Sequence, residues 1–443
     1  MKTKKPELTD VQKPNLYRNI FSYDEFPRTI FGGKSVKYDI PENIWITDTT
    51  FRDGQQARPP YTPQQILKIY DLLHKIDNDT GLIRQCEFFL YSDLDRKAVK
   101  LCRDRGYKFP QITGWIRAVP ADFKLVKQMG LTETGILTSA SDYHIFFKLR
   151  KTRSTVMRTY LEIVKAALDS GIIPRCHLED VTRADFGGFV LPFAAELLEL
   201  AQEYNSVVKI RLCDTLGFGL PWPNVVLPRS VPKLISGLRK LGFPSEWLEW
   251  HGHNDLHKVQ ANASTAWLHG CSAVNAAIFG VGERTGNPPL EAMVVEHAQI
   301  KGMTEGVNYR AITELADYAR KALGFKIPAN YPLVGNDFNV TRAGIHADGL
   351  LKNEEIYNCF DTKKLLKRPV RVAITDKTGA AGLKYWIEAH YKIEISKHDP
   401  HIVKIKNKID DEYQAGRVSA ISDEEMFDWT RQVFGDDIPP LKK

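Results

Sequence analysis

The sequence has no close cysteine pairs, no long apolar run and no run of basic residues. Its six cysteines are scattered through 443 residues, which excludes the paired spacing of a structural zinc site or a disulfide framework. No apolar stretch approaches the ~20 residues of a membrane span, and the N-terminus lacks the apolar segment of a secretory signal. The formal net charge is +7, but 1-MKTKK-5 is too short for a nucleic-acid-binding arm. We therefore expect a reduced, cytoplasmic protein without nucleic-acid or membrane partners.

The composition is that of an ordinary globular protein, with 43% hydrophobic and 26% charged residues. A chain of 443 residues exceeds the size at which one hydrophobic core usually stops growing, so we expect one large domain and something smaller. Short apolar runs alternate with longer amphipathic stretches, an order typical of a parallel sheet covered by helices. The candidate strands are 44–49, 83–89, 111–117, 134–138, 175–179, 207–212, 247–253 and 273–279.

Eight strands, most of them followed by a helical pattern, predict an α/β protein built on a (β/α)8 TIM barrel over residues 41–300. Residues 1–40 are predicted to form an N-terminal arm. The pattern changes after about residue 300, where a helical region near 307–323 precedes a loop-like stretch, 325–349. We therefore predict a smaller C-terminal α/β lid region over residues 301–443.

Unusual polar clusters coincide with the ends of the predicted strands. They read 48-DTTFRDGQQ-56, 177-HLEDVTR-183, 213-CDTLG-217, 251-HGHND-255 and 280-GVGERTGN-287. The active site of a TIM barrel lies at the C-terminal ends of its strands. The sequence therefore places nearly all of its unusual polar chemistry on one face of the predicted barrel.

The spacing of His251 and His253 is the most informative local signal. Alternate residues of a strand point to the same side, so both imidazoles should face one point. Two imidazoles with a carboxylate from across the barrel would bind a divalent cation, and ligation without thiolate favours Mn, Co, Mg or Zn. The alternative, two hydrogen-bonded core histidines, is the less favoured interpretation of this cluster.

Three of these clusters and one motif from the C-terminal region together resemble the metal-dependent aldolase and Claisen-condensing barrel family. The motifs are 48-DTTFRDGQQ-56, 251-HGHND-255, 280-GVGERTGN-287 and 344-GIHADG-349. The family includes isopropylmalate, homocitrate and citramalate synthases and hydroxymethylglutaryl-CoA lyase. The resemblance implies a divalent metal, Mn or Co by preference, and a set of four metal ligands: Asp53, His251, His253 and Asn287.

The resemblance also implies roles around the metal. Arg52 would polarise the reacting keto oxygen, and Thr215 would bind the α-carboxylate of a 2-oxo acid. Glu179 matches the family's strand-5 glutamate, and its two interpretations, a catalytic group or a structural partner of Arg52, are about equally favoured. In 280-GVGERTG-286, Glu283 and Arg284 are expected to pair structurally.

The C-terminal region implies a synthase that uses acetyl-CoA. His346 is the candidate base for the acetyl proton, with Asp348 near it in sequence and Tyr357 eleven residues on. Glu179 and Tyr357 remain alternatives for that base. Synthases of the family bring this region to the neighbouring subunit's barrel, which implies a homodimer whose residues 301–443 complete the acetyl-CoA site. Too few residues follow Tyr357 to form both the linking subdomain and an amino-acid-binding regulatory domain, so that regulatory domain is not expected.

Substrate preference is the finest expectation. His144 matches a substrate-facing histidine of the isopropylmalate type, whereas 86-CEFFLYSD-93, 54-GQQARPPYT-62 and Lys377 resemble the branch of Re-type citrate synthases. That branch condenses acetyl-CoA with oxaloacetate. A dianionic acceptor needs one more cation or donor set, for which Arg117, Arg183 and Gln56 are candidates. The alternatives are isopropylmalate or homocitrate synthesis and, less favoured because His346 and Tyr357 are present, hydroxyacyl-CoA cleavage.

Overall fold

The computed structural model describes residues 5–20 and 35–442, and the expected arm, 1–40, lies partly outside them. The chain divides into two compact units, Met1–Asn308 and Tyr309–Lys443, called here the barrel unit and the C-terminal unit. Among the described residues, none of the helices has both the length and the apolarity needed to cross a bilayer.

Eight parallel strands of the barrel unit form a closed barrel in chain order, with the first strand paired to the last. The strands are β1 Trp45–Asp48, β2 Ile83–Phe89, β3 Gln111–Ile116, β4 Glu133–Ser139, β5 Ile173–Glu179, β6 Lys209–Asp214, β7 Leu248–Gly252 and β8 Ala273–Ala276. The predicted (β/α)8 barrel is thus confirmed. The last predicted strand is shorter than expected, because a tight turn at Ile278–Gly280 follows it.

Helices follow the strands and cover the barrel. They are α1 Pro63–Asp77, α2 Asp93–Arg103, α3 Phe123–Gln128, α4 Arg153–Asp169, α5 Leu191–Glu203, α6 Val231–Leu241, α7 Val259–Leu268 and α8 Leu290–Lys301. Local sequence explains their starts. In α1, Thr62 accepts from the backbone of Gln65, the Gln65 side chain returns to Thr62, and Pro63 occupies the first turn.

The barrel interior differs from the usual filling of branched apolar residues. Glu87, Arg175, Arg211 and Glu249 project into it, and each is at most 3% exposed. Buried charges are tolerated when they pair with one another, and these four do so: Glu249 pairs with Arg211 and Arg175 from nearby strands, and Glu87 pairs with both arginines across the barrel. Paired charged side chains therefore lie directly below the candidate site.

The C-terminal unit has its own core. Its helices are α9 Arg310–Leu323, α10 Gly344–Lys352, α11 Thr362–Leu366, α12 Gly379–His390, α13 Pro400–Gln414 and α14 Asp423–Phe434, with a parallel pair, β9 Val340–Thr341 and β10 Arg371–Val372. Trp386, Ile402 and Met426 belong to one buried apolar cluster. The loop-like interpretation of 325–349 is wrong at its end, where α10 begins at Gly344; two glycines there weakened the helical pattern.

Candidate metal and substrate site

Three potential metal ligands converge at the C-terminal ends of β1 and β7. One ligand atom from each of Asp53, His251 and His253 lies within 4.8 Å of the other two, and all three side chains are buried. The two Nε2 atoms of the histidines are 3.2 Å apart, and His253 Nε2 lies 3.7 Å from Asp53 Oδ2. The predicted His-x-His geometry therefore brings both rings to one point beside a carboxylate.

The hydrogen bonds around His251 fix the direction in which its lone pair faces. Asn275 donates from Nδ2 to the backbone oxygen of Thr47, so its Oδ1 accepts from His251 Nδ1 at 2.6 Å. The Nε2 atom of His251 then carries the lone pair and faces His253 and Asp53. An outer partner that orients a metal-binding imidazole in this way is typical of metal sites.

The donor atoms fit a divalent cation. Asp53 Oδ2 and Asn287 Oδ1 are buried without a hydrogen-bond partner among the residues that the structure describes. A Cβ at Gly282 would lie 2.2 Å from Asn287 Oδ1 and 3.0 Å from Asp53 Oδ2, so a side chain there would fill the space between these oxygens. Orphaned buried oxygens beside imidazoles form the N/O donor set that such cations prefer.

The protonation states suit ligation. Burial lowers the pKa of His251 to about 3 and also lowers the pKa of His253. Burial alone would raise the pKa of Asp53, but Arg52 and the two histidines outweigh it, and the pKa lies below its ordinary value. At neutral pH the site therefore presents two neutral imidazoles and one carboxylate.

Arg52 lies beside this cluster and is fixed on two sides. Its Nη1 donates to Asp53 Oδ1 at 3.0 Å and its Nε to Glu87 Oε2 at 2.9 Å. The guanidinium carbon is 5.7 Å from the ring centre of Trp115, within cation–π range. Arg52 is thus held rigidly, and the partner that holds it from below is Glu87 on β2.

Glu179 does not pair with Arg52, so that structural interpretation is wrong. Its carboxylate accepts from Ser139 Oγ, contacts His144 Nδ1 at 2.9 Å and accepts from Lys148 Nζ at 2.8 Å. Burial would raise the pKa of Glu179, but these donors lower it to about 2. Lys148, which the sequence interpretation missed, lies one helical turn after His144, and that spacing was the available signal.

The candidate cations for a second carboxylate are already paired. Arg117 binds Asp122 through two hydrogen bonds of 3.0 and 3.1 Å, and its side chain is 62% exposed. Arg183 binds Asp180 and stacks on Tyr143. Gln56 is exposed at the end of the β1 loop. Neither arginine is therefore a free cation in this structure.

Thr215 and the loop after β8 occupy the rim near the two histidines. Thr215 Oγ1 accepts from the backbone nitrogen of Asp180 at 2.8 Å, which ties the ends of β5 and β6 together. Arg284 lies 3.8 Å from Glu283, but its closer partner is Asp255 at 2.9 Å. The expected pairing of Glu283 with Arg284 is therefore the weaker of the two contacts.

The remaining predicted residues lie in the C-terminal unit. The rings of His346 and Tyr357 are 4.3 Å apart, and both side chains are exposed. Asp348 pairs with Lys352 at 2.7 Å and lies 3.7 Å from Lys397. Lys377 pairs with Asp376. His346 and Tyr357 thus form one exposed aromatic pair, while the carboxylate of Asp348 is occupied by lysines.

Comparison with known proteins extends over both units. The profile of the HMGL-like family matches residues 43–318. Citrate (Re)-synthase of Clostridium kluyveri is 53% identical over 95% of this chain and 94% of its own. Citrate (Re)-synthase of Syntrophus aciditrophicus is 54% identical over 95% of this chain and 68% of its own. The HMG-CoA lyase structure of Bacillus subtilis, at 17% identity, covers 65% of this chain and 96% of its own with a TM-score of 0.51, a likeness of fold. The chain therefore belongs to the HMGL-like family.

Proposed function

We propose that this protein is a Re-type citrate synthase, an acyltransferase that converts the acetyl group into an alkyl group on transfer. The reaction is acetyl-CoA + oxaloacetate + water → citrate + CoA. The observation that carries the proposal is identity of 53–54% to two citrate (Re)-synthases over 95% of the chain. That alignment is too long to be confined to the barrel, so the likeness includes most of the region that would activate acetyl-CoA.

Asp53, His251, His253 and Asn287 are proposed to hold a divalent cation, Mn or Co by preference, with Mg or Zn as alternatives. When bound, such a cation would supply Lewis-acid polarisation of the keto oxygen and a chelating template for the 2-oxo acid. The support is the set of orphaned buried oxygens and the inward lone pair of His251. Asn287 Nδ2 donates to Gly252 O, which turns its carbonyl oxygen toward the site.

Arg52 is proposed to stabilise the charge that develops on the keto oxygen as the new C–C bond forms. Its Nε and Nη1 are engaged by Glu87 and Asp53, so Nη2 is the donor edge without a carboxylate partner among the described residues. A fixed donor aimed at a developing alkoxide needs no reorganisation during the reaction. Thr215, at the same rim, is proposed to contact the α-carboxylate.

His346 is proposed to remove the methyl proton of acetyl-CoA and to hold it on an imidazole nitrogen, with Tyr357 beside it. Both side chains are exposed, as an interaction with a second copy of the chain requires. We therefore propose a homodimer in which residues 301–443 of one chain complete the acetyl-CoA site of the other. Glu179 is a poor base, because three donors keep it ionised and its pKa is about 2.

The distal carboxylate of oxaloacetate is proposed to bind near His144 and Lys148. Both side chains contact Glu179 at the β4–β5 rim, and Lys148 is 47% exposed, so its ammonium can bridge two carboxylates. Arg117 is less suited, because Asp122 already satisfies its planar edge. The cytoplasmic location remains a prediction.

The test is a thiol-release assay on purified protein with acetyl-CoA and a panel of 2-oxo acids: oxaloacetate, 2-oxoisovalerate, 2-oxoglutarate and pyruvate. We expect release with oxaloacetate far above the others, and citrate carrying the acetyl carbons in the arm opposite to that from ordinary citrate synthase. Lys148→Met should raise KM for oxaloacetate more than Lys151→Met, a neighbouring exposed lysine. A clear preference for another 2-oxo acid, or citrate carrying the acetyl carbons in the same arm as the product of ordinary citrate synthase, would refute the proposal.

A further inference from the structure

A cluster of charged side chains, buried except at its far end, fills the barrel below Arg52. We call it the ionic column and define it as Glu87, Glu133, Arg175, Lys209, Arg211 and Glu249. It contains three carboxylates and three cations, each from the interior face of a strand. Interiors of such barrels are ordinarily filled with branched apolar residues, and replacing buried ion pairs by apolar side chains of similar volume is often neutral or stabilising. Stability alone therefore does not account for the column.

Glu87 is the upper end of the column and the counter-ion of three arginines. Arg52 Nε lies 2.9 Å from Oε2, Arg175 Nη2 lies 2.8 Å from Oε1, and Arg211 Nη1 lies 2.9 Å from both oxygens. The Glu87 side chain is fully buried. One carboxylate thus has two partners from the column and one from the candidate site.

Arg211 and Arg175 are themselves fixed from below. Arg211 makes two hydrogen bonds to Glu249, at 2.9 and 3.1 Å, and pairs in register with it across β6 and β7. Arg175 donates to Glu133 at 2.8 Å and lies 3.3 Å from Glu249. Lys209, at the far end, contacts Glu133 at 2.6 Å. Each guanidinium therefore presents a fixed donor to Glu87.

The shared geometry has two consequences for Arg52. The donors from Arg175 and Arg211 fix the Glu87 carboxylate, which in turn fixes the Nε–H of Arg52. They also attract the negative charge of Glu87 to themselves. Glu87 therefore neutralises less of the positive potential that Arg52 presents to a substrate. Both effects strengthen in a buried site, where water does not screen the charges.

We propose that Arg211 and Arg175 are positioning residues, which act through Glu87 to hold the guanidinium of Arg52 toward the reacting keto oxygen. This inference rests on the proposed function of Arg52, whose role is to stabilise charge that develops in the transition state. Loss of the positioning should therefore lower kcat while binding of the 2-oxo acid changes little.

The test replaces one ion pair of the column by an apolar pair. In the double variant Arg211→Met/Glu249→Met one cation and one anion leave together, so no net charge is buried. We expect kcat to fall about 10- to 100-fold, the range for losing an outer partner of an active-site group. KM for the 2-oxo acid, and its affinity measured by calorimetry without acetyl-CoA, should stay within about threefold.

Lys209→Met is the matched control. Lys209 contacts Glu133, and Glu133 still has Arg175 as its partner when Lys209 is replaced. We expect its kcat to stay within about twofold of the parent, since the contacts of Glu87 are unchanged. Arg211→Lys is the conservative variant for the case in which the double variant does not fold. Arg211→Lys keeps the positive charge but lacks the several N–H donors of a guanidinium. Its kcat should lie between those of the parent protein and the double variant.

A readout independent of turnover separates this inference from the proposed function. With side-chain ¹⁵N-labelled arginine, the Nε–H signal of Arg52, assigned with Arg52→Lys, should shift in the double variant and stay in place in Lys209→Met. If the preferred acceptor is not oxaloacetate, the kinetic test is run with the acceptor that is used. An unchanged Arg52 signal and kcat in the double variant, or equal losses in Lys209→Met, would overturn the positioning role.

Discussion

Arg153 offers the sharpest test of what buried charge does in this fold. Its side chain is fully buried and makes two hydrogen bonds of 2.8 Å to Asp142, one of 2.9 Å to Asp185 and one of 2.8 Å to the backbone oxygen of Thr9. It therefore links the N-terminal segment to the loops after β4 and β5. In Arg153→Met the Asp142 carboxylate, 2% exposed, loses its cation, and its remaining donor within residues 5–20 and 35–442 is the backbone nitrogen of Asn15.

Removing one partner of a buried ion pair lowers the free energy of unfolding by about 3–5 kcal/mol. Because Asp142 keeps one donor, we expect a loss at the lower end of this range, about 3 kcal/mol. The entropy of unfolding is about 2.1 cal/mol/K per residue, or roughly 0.65 kcal/mol/K for the barrel unit. The melting temperature should therefore fall by about 5 °C. Differential scanning calorimetry of the purified protein measures this directly.

The matched control is Arg105→Met. Arg105 makes the same two-pronged contact with Asp71, at 2.9 and 2.8 Å, but is 42% exposed, so water replaces the lost partner. Its melting temperature should stay close to that of the parent. Equal shifts in the melting temperatures of the two variants would show that burial is not the reason why the Arg153 contacts stabilise the fold, and would refute the prediction.

Three further predictions concern the site. Gly282→Ala should weaken Mn²⁺ binding at least about tenfold in calorimetry, because the new methyl group occupies the space between the proposed ligand oxygens, whereas Gly187→Ala, in open space, should not. Glu179 stabilises the fold in its ionised form; this contribution is complete above its ordinary pKa of 4.5 and is lost as pH falls toward about 2, so Glu179→Gln should show a shallower fall in melting temperature across that interval. His346→Ala should reduce kcat at least about 100-fold with little change in 2-oxo acid affinity, whereas Asp348→Asn should have a small effect; equal losses in turnover and affinity would remove His346 from the base role.

The sequence predicted the barrel well because each strand is a short apolar run bounded by a helical pattern. The same logic predicted that His251 and His253 converge with a carboxylate, since strand ends meet on one face whatever fills the interior, and the family resemblance identified that carboxylate as Asp53. The family assignment is confirmed, because a family profile matches residues 43–318, which contain three of the four motifs that carried it.

Pairing between side chains was the part that sequence could not give. Glu87 lies inside the run 83-IRQCEFF-89, where the pattern indicated a strand but not the three arginines that would meet it. For the same reason the sequence offered Arg52 as a possible structural partner of Glu179, whereas the partners are Lys148 and His144. Contacts across a closed barrel depend on strand tilt and register, which a linear pattern does not encode.

A titration of chelated, metal-free protein with Mn²⁺, followed by calorimetry and by CoA release in parallel, tests whether the proposed site binds the metal that the reaction needs. We expect one site per chain, no CoA release before metal is added, and recovery of activity with the same midpoint as binding. His251→Ala should lose both signals, whereas His398→Ala, at an exposed position in the C-terminal unit, should keep both. Full CoA release by the metal-free protein, or unchanged Mn²⁺ binding in His251→Ala, would show that these residues do not hold a catalytic metal.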